Sequence, residues 1–320
     1  MPADAPHALA PAPACAPALA PALALAGIGD EAGYGIHAQV AAVRALGWDT
    51  IELRTVDGIP LADLTEPAFA QVVAAVEDAG LRVVAVCSRI GGWSRSADQD
   101  VTADLAELRV LSRRCRTLGT RHVRIMSYPS GGLAEPLWRA AVIERTKALA
   151  DHAERTGLSL LHENCAGWAG TSALRMRDLL DAVNSPALGL LFDTGNGIAY
   201  DYSAYDLLGE IIEWVRHVHI KDAITDAITD AECPAEAPRY CLPGHGQSRV
   251  ADCLRLLLDA GYTGALSIEP HLAVVPHEGR RAPDAECAAA FTAHGRALTD
   301  LLAGLTAERP RSAAATGGAR

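Results

Sequence analysis

The chain has 320 residues, half of them hydrophobic and 5% aromatic, with a formal charge of −11. That length and apolar content are ample for one large core, and α/β barrels run past the usual domain size without splitting. The acidic balance argues against nucleic acid as a partner, because phosphate binding needs clustered Lys and Arg; with no unbroken apolar run of ~18 residues, a membrane span is not expected.

The first 27 residues, MPADAPHALAPAPACAPALAPALALAG, have no Lys or Arg, and prolines interrupt every apolar stretch. That is unlike a secretory signal. Residues 1–20 read as a disordered Ala/Pro-rich tail, 21–306 as one barrel domain and 307–320 as a second disordered tail. The eight cysteines form no C-x-x-C pair. A chain this long needs no disulfide staples, so they read as reduced thiols in a cytoplasmic protein.

In chain order, strands are expected at 22–29, 50–56, 81–88, 122–127, 158–163, 188–193, 215–220 and 264–269. Their continuous Val/Ile/Leu runs suit strands buried on both faces, as in a parallel sheet covered by helices. Helical periodicity fills the gaps, at 36–46, 65–79, 102–118, 134–156, 172–184, 204–213, 249–260 and 281–304. Phrases such as RALGWDTIEL and ERTGLSLLHE repeat one form: a helix end, a Gly suited to a left-handed cap, then a strand. Eight such units give a closed barrel or a doubly wound open sheet. No G-x-G-x-x-G opens a helix after a strand, and no G-x-x-x-x-G-K-[ST] occurs, so the expectation is a single-domain α/β fold, a (β/α)8 TIM barrel.

Catalytic groups of such barrels stand at the C-terminal ends of the strands. The fifth to eighth strands each end in a metal-ligand type: Glu163 in LLHENC, Asp193 in LLFDTGN, His219 in HVHIKD and Glu269 in LSIEP. One such residue alone is weak evidence; four at equivalent places in four successive repeats are not. Carboxylates among apolar neighbours need a partner, and few cations lie nearby in sequence. One divalent metal would satisfy all three carboxylates, the structural alternative being a buried salt-bridge network through Arg124 or Lys221. Three carboxylates and an imidazole suit Mn²⁺ best, with Mg²⁺, Co²⁺, Fe²⁺ or Zn²⁺ as alternatives. Such an ion would polarise a carbonyl and stabilise an enediolate.

The set Glu/Asp/His/Glu in the contexts HEN, FDTGN, HVHIKD, PGHG and IEP resembles the xylose isomerase-like barrel superfamily of sugar (phosphate) isomerases and epimerases. That group includes ketohexose 3-epimerase and inosose dehydratase relatives, and the resemblance covers roughly residues 22–305. It implies that Glu163 and Glu269 form the acid/base pair, that Asp193 and His219 serve as ligands only, and that such barrels pair as homodimers. The implied partner is a carbohydrate or cyclitol. Two departures keep the substrate open. Asn196 stands where many relatives have His, and Lys221-Asp222 replaces the Gly-Glu of the ketohexose epimerases.

Strand alternation adds pocket candidates. His217 lies one layer below His219, with Lys221 at the rim. Glu52 shares a face with Arg54, Arg124 ends the fourth strand, and His271 follows Glu269 on its side. Trp93 and Trp168 sit in Gly-flanked loops and would wall a sugar ring or pin those loops. Cys165 beside the site reads as a space-filling residue. The long segment 223–246 contains a tandem AITD, in which Asp222, Asp226 and Asp230 would line a solvated helix face. The leading reading is a metal-dependent sugar isomerase or epimerase. A lyase using the same site, dehydrating an inosose or cleaving a C-glycoside, is the alternative. An endonuclease IV-like hydrolase and a non-catalytic sugar-binding barrel fit less well.

Overall fold

The computed structural model describes residues 23–225 and 238–308. Eight parallel strands form the centre: β1 Ala24–Gly27, β2 Thr50–Leu53, β3 Arg82–Cys87, β4 His122–Ser127, β5 Ser159–Gly167, β6 Leu188–Asp193, β7 Val215–Ile220 and β8 Ala265–Ile268. Each pairs with its neighbour in sequence from β2 to β7, then β7 with β8 and β8 with β1. A parallel bridge from Ile28 to Glu52 joins β1 to β2 and closes the barrel. The apolar runs behave as expected of strands walled on both sides: every residue of β2 and β6 is buried.

The outer helices are α1 Ile36–Ala45, α2 Glu66–Asp78, α3 Thr102–Thr117, α4 Glu135–Thr156, α5 Ala173–Val183, α6 Ala204–Ile211, α7 Val250–Asp259 and α8 Asp284–Glu308. Their apolar faces pack on the strands through residues such as Phe69, Leu108, Leu149, Leu179 and Leu254. The repeated helix–Gly–strand phrase has its physical basis at α4, where Gly157 takes φ 74° in the left-handed cap. Asn184 does the same after α5, at φ 49°.

Four local expectations change. The second strand stops at Leu53, and Thr55–Val56 pairs with Ile59–Pro60 across a turn where Asp57 and Gly58 both have positive φ. β5 runs four residues beyond Glu163, to Gly167. The last helix continues to Glu308, past the expected start of the tail. Asp222 lies on no solvated helix face: it is buried, and its carboxylate accepts the backbone N–H groups of Ala223, Gly244, Gly246 and Ser248 at 2.9–3.1 Å. It thus wraps the PGHG turn around itself. Asp226, Asp230 and most of the tandem repeat lie outside the described residues, as do the expected tail 1–20 and residues 309–320.

Candidate metal centre

Glu163 points inward from β5, Asp193 ends β6, His219 sits on β7 and Glu269 follows the last residue of β8. The ladders set Asp193 beside His219 and His219 beside Ser267. One donor atom from each of Glu163, Asp193, His219 and Glu269 lies within 4.8 Å of the others, all buried. His219 Nδ1 is 3.6 Å from both Glu163 Oε1 and Glu269 Oε2, so the two glutamates flank it.

Each side chain is aimed by a second contact. Asp193 Oδ1 accepts the N–H groups of Gly195 and Asn196 at 2.8 Å, leaving Oδ2 directed inward. A Cβ on Gly195 would fall 2.7 Å from Lys221 Cγ, so only glycine lets this turn close over the lysine. His219 turns its other nitrogen, Nε2, to Glu52 Oε1 at 3.1 Å. Glu52 also holds His217 Nε2 at 2.8 Å and accepts the Cys87 thiol. A carboxylate behind a ligating imidazole fixes its orientation and tautomer. Burial works to raise the Glu52 carboxyl, but His219 and His217 outweigh it and hold it well below its ordinary value. Burial opposes charge on His219 too, and Glu52 leads the groups that nonetheless raise its pKa.

The expectation of few nearby cations is wrong. Lys221, expected at the rim, is buried, with its ammonium 2.7 Å from Glu269 Oε2 and 3.1 Å from Asp193 Oδ2. Arg54 reaches Glu269 Oε1 at 2.9 Å, and Arg124 lies 3.4 Å from Glu163 Oε2. These strand positions are far apart in sequence, and only barrel closure unites them. Against the upward pull of burial, Arg124 and His219 keep Glu163 below its ordinary pKa, and Lys221 and His271 do the same for Glu269. Burial lifts Asp193 to about 6 despite Lys221, with Glu269 and Glu163 pushing the same way. A salt-bridge network therefore exists, and it is incomplete. Asp193 Oδ2 and His219 Nδ1 are buried without a hydrogen-bond partner. Among the described residues Asp193 Oδ2 is touched only by the Lys221 ammonium, and His219 Nδ1 by no hydrogen bond. With two more carboxylates facing them they fit a divalent ion, and hard oxygens with one imidazole fit the expected class of metal. A second grouping, Glu31, Glu269 and His271, also brings its ligand atoms within 4.8 Å, but Arg54 and the His271 N–H already satisfy Glu31.

A chamber of about 190 Å³ opens over the cluster, and Asn196, Lys221, Arg124, Trp93 and His271 are among its lining. Asn196 donates to Glu163 Oε1 at 3.2 Å. His271 is held by Glu31, 2.7 Å from its Nδ1, and turns Nε2 toward Glu269 Oε1 at 3.8 Å. Three candidates sit elsewhere. Glu52 and His217 lie beneath the cluster, bonded to each other. Trp168 is buried, donates to Glu135 Oε1 at 3.0 Å and packs against Arg139 and Arg175, so it pins its loop. Cys165 lines the chamber beside Tyr200, and burial next to Glu163 pushes its thiol up to about 12. It stays protonated.

Arg54 entered the sequence reading only as a neighbour of Glu52, and Asp30, Glu31 and Tyr240 did not enter it. The signal for the first pair was the acidic dipeptide in GIGDE, directly after β1. Tyr240 belongs to the strand pair Asp222–Ile224/Arg239–Cys241, whose pairing no local pattern announces.

Comparison with known proteins gives a match of residues 40–290 to the family model described as a xylose isomerase-like TIM barrel. A curated inosose dehydratase of Bacillus licheniformis is 30% identical over 136 residues; the match covers 40% of this chain and 45% of the relative's length. Among solved structures, D-allulose 3-epimerase from Methylomonas sp. superposes with a TM-score of 0.66 at 17% identity, over 88% of this chain and 96% of the other. A xylose isomerase-like barrel from Mycobacterium smegmatis in complex with magnesium gives 0.64 at 20% identity, over 88% and 97%. At such identities these structures speak for the fold alone. Among the described residues no helix is long and apolar enough to cross a membrane.

Proposed function

The chain belongs to the xylose isomerase-like TIM barrel family, and from that premise we propose that it is a divalent-metal-dependent isomerase or epimerase acting on a small carbohydrate or cyclitol. The observation that carries the reading is the convergence of three buried carboxylates on His219 Nδ1, which has no hydrogen-bond partner. Glu163, Asp193, His219 and Glu269 would hold the ion, with Mn²⁺ the expected metal. When bound, the ion supplies Lewis acidity toward a substrate carbonyl.

Both glutamates are held ionised by their neighbours, as bases must be. They stand on either side of His219, so a sugar carbon above the imidazole meets one carboxylate on each face. Glu163 takes the proton next to the carbonyl. Glu269, ionised at rest, passes on the proton of the Lys221 ammonium bonded to its Oε2 to the other face of the carbon, and Lys221 regains a proton from solvent as Glu163 releases its own. Asn196 Nδ2 fixes Glu163 Oε1, leaving that oxygen with a defined free lone pair. The Lys221 ammonium holds a proton at Glu269 Oε2. The floor of the chamber, formed by Glu163, Asn196, Lys221, Glu269 and His271, is buried, which limits the access of water to a carbanion that water would protonate at random.

A second reading, a lyase, has one observation in its favour. The buried Lys221 ammonium could protonate a departing hydroxyl or aglycone, and the partial sequence match is to a dehydratase. Incubating the Mn²⁺-loaded protein with ketoses, inososes and keto-glycosides in deuterated buffer tests both. Deuterium gained next to the carbonyl with all oxygens retained is expected. Loss of water or aglycone would turn the assignment to the lyase, and no exchange with any substrate would overturn both.

A further inference from the structure

Proton transfer at the cluster leaves a larger part of the barrel mouth unused. On the β2–β4 side lies a chamber of about 720 Å³, against about 190 Å³ over the carboxylates. Pockets that enclose multi-ring ligands run ~300–1,000 Å³, so the inner space suits one small ring and the outer space something more. The two share Arg54, Trp93, Arg124, Met126 and Pro276 as walls, and so adjoin in one bowl.

The outer chamber has the chemistry of a ring-binding surface. Trp93 and Tyr34 line it at 55% and 46% exposure, the two large aromatic side chains left exposed among the described residues. Both are held in place. The Trp93 loop rests on the end of β4 at Gly91, φ 70°, where a Cβ would meet Met126 O at 2.1 Å. Tyr34 donates its backbone N–H to Asp284 at 3.2 Å and carries Arg281 over its ring at 5.2 Å. Aromatics kept out of the core at a cavity wall present flat faces to a partner ring. Where the chambers meet, Arg124 is buried, and its Nε has no hydrogen-bond partner although its other end pairs with Glu163.

Building on the proton-transfer reading of the cluster, we propose that the substrate is a keto-glycoside, whose reacting ring already carries the ketone, rather than a free sugar. Its reacting ring lies over Glu163 and Glu269, and its second ring lies against Trp93 in the outer chamber. Arg124, a wall of both chambers, stands where the two rings join. The second ring needs an apolar face, which an aryl aglycone or another pyranose provides.

The test uses the Mn²⁺-loaded full chain and matched methyl and phenyl β-glycosides of glucose, galactose and xylose, titrated calorimetrically. In at least one pair the phenyl glycoside should bind about fivefold or more tighter than the methyl glycoside. Trp93→Ala should bring that ratio to near one, and Trp93→Phe should keep most of it. Mn²⁺ titration and circular dichroism of each variant report an intact cluster and fold. A ratio near one in every pair overturns the proposal, as does a ratio that survives Trp93→Ala combined with Tyr34→Ala. Deuterium exchange on free ketoses is measured separately. Exchange without an aglycone preference sinks this inference and spares the proton-transfer reading; the reverse result spares this inference alone.

Discussion

The two sides of the barrel mouth are built to opposite plans. From β5 to β8 the strand ends bring Glu163, Asp193, His219 and Glu269 within reach of a single ion, and every group is buried. From β2 to β4 they bring Arg54, Arg89 and Arg124 beside Trp93, with the wider chamber between them. The first side is tight, acidic and aimed by hydrogen bonds. The second is open, basic and aromatic. The difference separates two tasks that one barrel must perform: chemistry needs fixed atoms, while recognition needs area. Arg124 belongs to both sides, paired with Glu163 at one end and unanswered at the other.

The largest effect should come from neutralising either glutamate. Glu163→Gln or Glu269→Gln should lower solvent exchange at the substrate carbon by ~10²–10⁴-fold, the usual worth of a positioned acid or base. Equal activity in either variant would break the two-base assignment and the contrast built on it. Next in size is Glu52→Gln, which touches the acidic side from below. Loss of the charged partner of His219 should weaken Mn²⁺ binding by ~10–100-fold, read by competition titration; an unchanged affinity would detach Glu52 from the cluster.

Acid should act on the frame that carries both sides. His162 and His294 are buried with no hydrogen bond at either ring nitrogen, and burial lowers them to about 4 and about 3 from an ordinary 6.5. Both are neutral in the fold and gain a proton more readily in the unfolded chain. The unfolded state therefore binds more protons between pH 6.5 and about 3, and stability falls as pH drops through that window. Urea midpoints should decline from pH 7 to 4, and His294→Leu should flatten the decline. A slope untouched by that change would remove His294 from the account. The smallest effect should belong to Trp168→Phe. It loses one hydrogen bond to Glu135, about 1 kcal/mol, with turnover preserved because the ring lies outside the chamber. A large loss of activity would mean that the pinned loop sets the site.

The order of elements was legible because period and punctuation agree in most repeats: apolar runs for walled strands, then a residue such as Gly157 or Asn184 where a helix ends left-handed. The cluster was legible for the same reason, since equivalent strand ends converge in a barrel. What escaped was everything that depends on closure. Lys221 reads as a rim residue from alternation alone, yet it is buried beneath the Gly195 turn with its ammonium between Asp193 and Glu269. Arg54 lies 215 residues from the Glu269 it pairs with, and no local pattern connects them. Asp222 resembles a solvated acid in a short repeat, while its four backbone donors come largely from a turn some twenty residues on.

The hub formed by Glu52, with His217, His219 and Cys87 around it, has a consequence for how the protein acquires its ion. The receiving atoms are set by the chain itself, so loading needs no refolding and chelation should leave the same architecture behind, unlike domains whose folding is driven by metal. Occupancy then becomes a matter of exchange with the surroundings. A ligand set of this kind ranks divalent ions by the common affinity series rather than rejecting all but one, so the ion in purified protein should track what the host cell supplies.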